Sequence, residues 1–288
     1  MSVMQLLHIA PGSTRRSVPL SRAITRHISL SIGAVLIVVP FLWMLTTALK
    51  APRAVHLPPY IIPVHFAWSN FLRAWQADDF ARFYLNSAVM AVSITVGQLL
   101  FSSLAGYAFA RLRFPGRSML FWLVLGTMMI PVYVTLVPSY MLIRHLGWLD
   151  SYPGLIVPRL VSGFGIFLMR QHYLTIPRDL EEAALLDGAS RLRIWWTLFV
   201  PLSGPAFATL GIFAFLFAWN DFLWPLIVTT SPDMRTVQLG LAMFSGRYGT
   251  QWTLLMAGAV TATIPAVVAF AIGQRWFIRG IATTGVKG

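Results

Sequence analysis

The chain has no cysteine, which excludes disulfides and thiolate metal sites. Acidic residues are scarce: nine in 288 residues, against 22 lysines and arginines. Charge as a whole is thin at 11% of residues, roughly half of what a soluble domain carries. Lysine occurs only at Lys50 and Lys287. Neither stands in the G-x-x-x-x-G-K-[ST] frame, in which a lysine reaches the terminal phosphates of a nucleotide. If ATP hydrolysis drives this protein, it must come from another chain. An intramembrane serine protease would need a glycine before its Ser-Gly pair. Ser162-Gly163, Ser203-Gly204 and Ser245-Gly246 all lack it. The histidines fall in tails, loops and span ends, and no metal-ligating cluster stands out, so an enzyme is disfavoured.

What is abundant is apolar: 57% of residues, with a mean hydropathy of +0.70. Several apolar runs reach the roughly 20 residues that cross a bilayer, and backbone polar groups inside lipid must be paired within a helix. The sequence therefore predicts an all-α integral membrane protein with six spans. These are Ile28–Leu49, Tyr84–Ala110, Met119–Leu142, Gly154–Leu174, Ser203–Val228 and Trp252–Ile272. The first run is too long for the core of a signal peptide and no A-x-A site follows it, so it reads as a retained span. The net charge of +13 reflects arginines in short loops rather than a basic stripe interleaved with aromatics. Nucleic acid is not an expected partner.

More of the arginines lie on the side of the N-terminus (Arg15, Arg16, Arg22, Arg26, Arg111, Arg113, Arg117, Arg170, Arg178, Arg191, Arg193) than on the other. With Arg275, Arg279 and Lys287 that side holds 14 basic residues, against the eight that count on the opposite side: Lys50, Arg53, Arg73, Arg82, Arg144, Arg159, Arg235 and Arg247. This bias predicts both termini in the cytoplasm. The expected organisation is a tail over 1–27 and a first span with a long outer loop over 28–83. A core over 84–277 and a tail over 278–288 follow.

The two glutamates, Glu181 and Glu182, are neighbours, and Asp179 and Asp187 flank them in a cytoplasmic loop over 177–201. Asp179 with Glu182 three residues on predicts a capping box, and the acids suit the first turn of a helix. Ala183 and Ala184 allow close approach, and Gly188 predicts a left-handed turn after the helix. A second helix is predicted from Ser190 toward Pro201.

Glu182-Ala183-Ala184, then Gly188, then Leu198-x-Val200-Pro201, resembles the E-A-A-x3-G-x9-I-x-L-P motif of permease subunits of ATP-binding-cassette importers. Leu198 and Val200 replace the motif's Ile and Leu, a conservative change for packing. Asn86-Ser87 through Arg117, Ala218 to Pro225, and the ending Gly285-Val-Lys-Gly288 are similar to the carbohydrate-uptake branch of that family. The resemblance implies a type I importer permease fold in which the acidic helix is a coupling helix. Glu181, Glu182, Ala183, Ala184, Asp187 and Gly188 would engage a cytoplasmic ATPase dimer. It implies a second permease subunit, an extracytoplasmic solute-binding protein and a sugar substrate, with glycerol phosphate or a polyol as the nearest alternative. The chain itself would bind no cofactor; ATP and Mg would sit on the ATPase.

Polar and aromatic residues inside spans supply pathway candidates: Asn86, Gln98, Tyr107, Tyr133, Asn220 and Asp221. For each the competing role is a helix–helix hydrogen bond or an interfacial anchor. Asp221, the carboxylate late in the fifth span, leaves open a secondary transporter that uses it as a proton site. Its competing role is a structural bond made by the Asn220-Asp221 pair. The second span also carries Ser102-x-x-x-Gly106, a spacing that lets helix backbones meet.

Overall fold

The computed structural model describes residues 20–284, except 53–54, 56–62, 64, 78 and 247–248, with side chains from 24 to 275. The tail over 1–19, Pro58 and Pro59 of the outer loop, and the ending 285–288 lie outside the described residues.

Among the described residues three helices are long and apolar enough to cross a membrane: α1 (Leu20–Ala48), α3 (Phe80–Arg111) and the last helix, Trp252–Thr284. Three bent pairs raise the number of candidate spans to six. In the first pair, α4 (Arg117–Met129) meets α5 (Val132–His145) at 101°. The sequence predicts one span here. Pro131 cannot donate the backbone hydrogen bond that would carry the helix through, and the residue before it is held extended. In the second pair, α6 (Tyr152–Ile156) and a 3-10 turn (Val157–Arg159) precede α7 (Gly163–Thr175), with a bend of 42°. In the third, α9 (Arg191–Leu202), wound as a π turn over Trp195–Phe199, meets α10 (Gly204–Trp219) at 83°. The predicted fifth span to Val228 is cut short: α10 stops at Trp219, and Leu223–Val228 forms a separate helix, α11.

The remaining elements are short. α2 (Ser69–Gln76) lies before α3, and α8 (Arg178–Leu186) lies between α7 and α9. α12 (Val237–Met243) and a two-residue antiparallel pair (Ser245–Gly246, Gly249–Thr250) precede α13, the Trp252–Thr284 helix.

α3 is the central helix, packing mainly on α7 and α10, while α1 leans on α13. Lipid tails are as apolar as the side chains, so helices associate here through tight packing rather than hydrophobic drive. Small residues supply it. Gly106 lies so close to α7 that a Cβ there would stand 2.7 Å from Met169 Cβ and 2.9 Å from the Arg170 backbone nitrogen. A Cβ on Gly165 would strike the Ser102 side chain. The Ser102-x-x-x-Gly106 spacing thus marks the α3–α7 contact, as the sequence predicts.

The core has three parts. Tyr107, Met169, Tyr173, Ile194, Trp195, Phe199 and Leu210 fill the end near α8. Met90, Ile94, Ile143, Leu155, Trp219 and Trp224 fill a second part, and Ala48, Phe80, Phe83 and Val237 a third. At the end opposite α8, Asp150 ties two loops together. Its Oδ1 accepts from the backbone nitrogens of Thr230 (2.6 Å) and Ser231 (2.8 Å), and its Oδ2 from the Thr230 hydroxyl. Burial pushes this carboxyl up, but those hydrogen bonds outweigh it and hold it below the usual carboxylate range.

Candidate functional site

The acidic loop folds as predicted in outline. α8 is followed by Asp187 and then Gly188, which sits at φ +77°, in the left-handed region. Ser190 begins α9, its hydroxyl accepting from the Arg193 backbone nitrogen at 3.3 Å. The capping box does not form. Pro177 holds the cap position, with no side-chain hydrogen bond, and Asp179 lies within the first turn. Proline at the cap pre-sets the entry angle, which moves the start of the helix two residues upstream of the expected one.

The two adjacent glutamates part company. Glu182, Ala183, Leu186, Asp187 and Gly188 are exposed, Leu186 by 90%. Glu181, grouped in the sequence with the docking acids, is instead buried at 6% exposure. Neighbouring positions on a helix point about 100° apart, so one of an adjacent pair turns in as the other turns out. Glu181 Oε1 takes a 2.5 Å bond from Arg191 Nη1 and a 3.3 Å bond from the Tyr107 hydroxyl. Its Oε2 lies 3.8 Å from Arg111 Nη1.

Arg111, the last residue of α3, carries this anchor into the membrane core. Its Nη2 donates to the carbonyl of Tyr173 at 2.5 Å and to that of Ile176. Those carbonyls lie at the C-terminus of α7, where a cation suits the helix dipole; that of Tyr173 also accepts from the Ile176 backbone nitrogen. The guanidinium also lies 5.1 Å from the centre of the Phe199 ring. Beneath it, the Tyr173 hydroxyl meets Ser103 Oγ at 2.5 Å, and Trp195 Nε1 donates to the same oxygen at 2.9 Å. One network therefore joins α3, α7, α8 and α9. Sequence reasoning missed Arg111, Arg191, Ser103 and Tyr173. The available signal was an arginine closing the second apolar span on the same expected side of the membrane as the loop that holds both glutamates.

The pathway candidates do not converge. Asn86 is buried and donates to the carbonyls of Asp233 and Arg235, both at 2.8 Å, while accepting from Tyr152. Tyr107 belongs to the anchor around Glu181. Tyr133 is 71% exposed on the outside of the bundle. Asn220 is exposed and bonds back to the Leu216 carbonyl at 2.8 Å. Gln98 and Asp221 do meet a common partner, Arg159. Gln98 Nε2 donates to its carbonyl at 2.9 Å, and Asp221 Oδ2 lies 3.4 Å from its Nη2. Asp221 is thus one half of an ion pair. Arg159, counted from sequence as an outer-side charge, sits in the break of the fourth span beside the middle of α3.

A mostly helical membrane bundle that exposes the short helix α8, tied to its core, is the build of a transporter's membrane subunit. Residues 98–283 match the family of binding-protein-dependent transport system inner membrane components, and the chain belongs to that family. It is a multi-pass inner-membrane permease component, not an enzyme. It is 38% identical over 264 residues to the sn-glycerol-3-phosphate transport system permease protein UgpE of Yersinia pestis bv. Antiqua (strain Antiqua). That match covers 88% of this chain and 94% of the relative. The protein of the same name in Escherichia coli O157:H7 is 37% identical over 265 residues, with the same coverage. Among solved structures, the fold is shared with a chain of a bacterial ABC transporter involved in the import of the acidic polysaccharide alginate. The TM-score is 0.81 at 24% identity, covering 93% of this chain and all of the other.

The turn at Gly188 supports a direct prediction. A Cβ there would meet nothing within 4 Å, so only the backbone angle opposes substitution. Gly188→Val is expected to cost the turn about 2 kcal/mol and to lower transport, because a β-branched residue resists positive φ. Gly188→Asn, which tolerates that region, should retain most activity. Equal activity of the two variants in a vesicle uptake assay would show that the turn angle does not matter.

Proposed function

We propose that the chain is one of two permease subunits of an ATP-driven importer and that α8 is its coupling helix. Its N- and C-terminal ends lie in the cytoplasm, on the side of α8, in a bacterial or archaeal plasma membrane. A cytoplasmic ATPase pair, holding ATP and Mg, grips the exposed side of α8 through Glu182, Ala183, Asp187 and Gly188, while Ala184, half-buried against the core, backs that face. Closure of that pair moves α3, α7 and α9 through the Glu181 anchor. A solute-binding protein docks on the opposite end and delivers a sugar.

The observation that carries this reading is the split on α8: Glu181 held from within, Glu182 and its neighbours presented outward. Among the described residues Glu182 makes no ion pair. Glu182→Lys should leave the protein inserted but weaken ATPase binding by about 2 kcal/mol, roughly 30-fold, and abolish uptake. Co-purification of the ATPase with the variant and uptake by proteoliposomes read the two effects. Unchanged uptake would rule out the coupling role. A second reading, glycerol phosphate as the solute, is favoured by the name of the relatives at 37–38% identity.

A further inference from the structure

Arg159 is a cation at the depth of the middle of α3, fixed there by the Gln98 bond to its carbonyl. It lines a cavity of about 420 Å³ with Gln98, Ser162, Phe164, Phe213 and Phe217. Phe213 and Phe217 are about half exposed (48% and 54%), so the cavity opens on their side. The guanidinium lies over the Phe217 and Trp224 rings at 5.4 and 5.5 Å. Its ion pair with Asp221 is loose, at 3.4 Å, although the two side chains are only 18% and 10% exposed. Asp221 Oδ1 accepts from the Trp224 backbone nitrogen at 3.2 Å, while its buried Oδ2 has no hydrogen bond. Among the described residues the guanidinium donates no side-chain hydrogen bond, although it has five N–H groups to give.

A half-buried guanidinium with N–H groups to spare, lining an open cavity, can give them to a ligand that enters it. The charge of the site says which ligand. Among the described residues Arg159 is the one ionisable side chain that lines the cavity, and its charge is offset by Asp221, its ion-pair partner outside the lining. A glycerol phosphate would bring nearly two negative charges into a site with no net charge, and buried charge without a partner costs several kcal/mol. A sugar ring brings none. Its hydroxyl oxygens can accept from Arg159, the Ser162 hydroxyl is placed to bond with it, and its C–H face suits the phenylalanine rings.

We propose that this subunit itself holds a solute subsite centred on Arg159, which takes an uncharged sugar ring in preference to a phosphorylated polyol. The proposal rests on the importer reading and names the substrate class.

The test is binding to the complete purified transporter in nanodiscs, without ATP. Glucose, xylose, maltose, trehalose and cellobiose serve as neutral probes, with sn-glycerol 3-phosphate as the anionic arm. At least one neutral sugar should bind and glycerol phosphate should bind more weakly. Arg159→Gln alone would strand a buried carboxylate, so the pair is neutralised together as Arg159→Gln/Asp221→Asn. That double variant should assemble and lose about tenfold in sugar affinity. Asp221→Asn alone leaves the site at a net positive charge and should gain affinity for glycerol phosphate. The proposal is overturned if no sugar binds, if glycerol phosphate binds best to the unaltered protein, if the double variant binds sugar unchanged, or if Asp221→Asn shows no gain. Because binding is read without ATP, it fails separately from the coupling role, which the Glu182→Lys uptake assay reads.

Discussion

Glu181→Ala is expected to uncouple and destabilise the protein, although the residue touches no proposed partner. Its carboxylate is 8% exposed and faces two arginines and a tyrosine hydroxyl. Removing it strands the Arg111 charge, whose own side chain is 3% exposed. Breaking one side of a buried pair costs about 3–5 kcal/mol. Arg111 keeps its bonds to the Tyr173 and Ile176 carbonyls, so the lower end, about 3 kcal/mol, is the expected loss. The detergent-solubilised protein should therefore melt about 6–12 °C lower. Transport per ATP hydrolysed should also fall, because α8 would no longer be tied to α3 and α9. Glu181→Gln keeps the shape and one acceptor oxygen, and should recover part of the stability. The contrast with Glu182→Lys is diagnostic: the exposed variant should melt normally and fail to dock. If Glu181→Ala melts normally too, the anchor is not a stabilising one.

That contrast also shows how far the sequence could be read. The scarcity of glutamate drew attention to the right loop, and Gly188 was placed in its turn by the chemistry of the left-handed region. Composition cannot separate Glu181 from Glu182, because both are acids in one apolar surrounding. What separates them is helical phase against Arg111 and Arg191, and that phase depends on how α7 enters the loop. The first, second and last spans were legible because their apolar runs are continuous. The third, fourth and fifth were not, because hydropathy averages over a window and does not register a change of direction. Met119–Leu142 reads as one run, yet the chain turns by 101° at Pro131. Arg159 was misplaced for the same reason. Charge counting assigns an arginine near a span end to the loop, but the fourth span breaks and carries it inward to Gln98.

The same logic makes Gly106→Val the most damaging single change expected in the membrane core. An added isopropyl group cannot be absorbed by rotating a side chain, because one atom in the way is the Arg170 backbone nitrogen, 2.9 Å from the would-be Cβ. Either α3 and α7 separate or the helix distorts. Separation would open the contact that also joins Gly165 to Ser102, and would pull Arg111 away from the end of α7. Overpacking of this kind costs about 3 kcal/mol. In a bundle that depends on packing rather than on expulsion of water, little compensates for it. The expected result is a sharp fall in folded yield after membrane extraction, measured by fluorescence-detected size-exclusion chromatography. Gly126→Val, in α4, makes the same chemical change where a Cβ meets nothing within 4 Å, and should be tolerated. Equal yields from the two variants would mean that α3 and α7 have room to spare, and that backbone contact is not what holds the centre of the bundle.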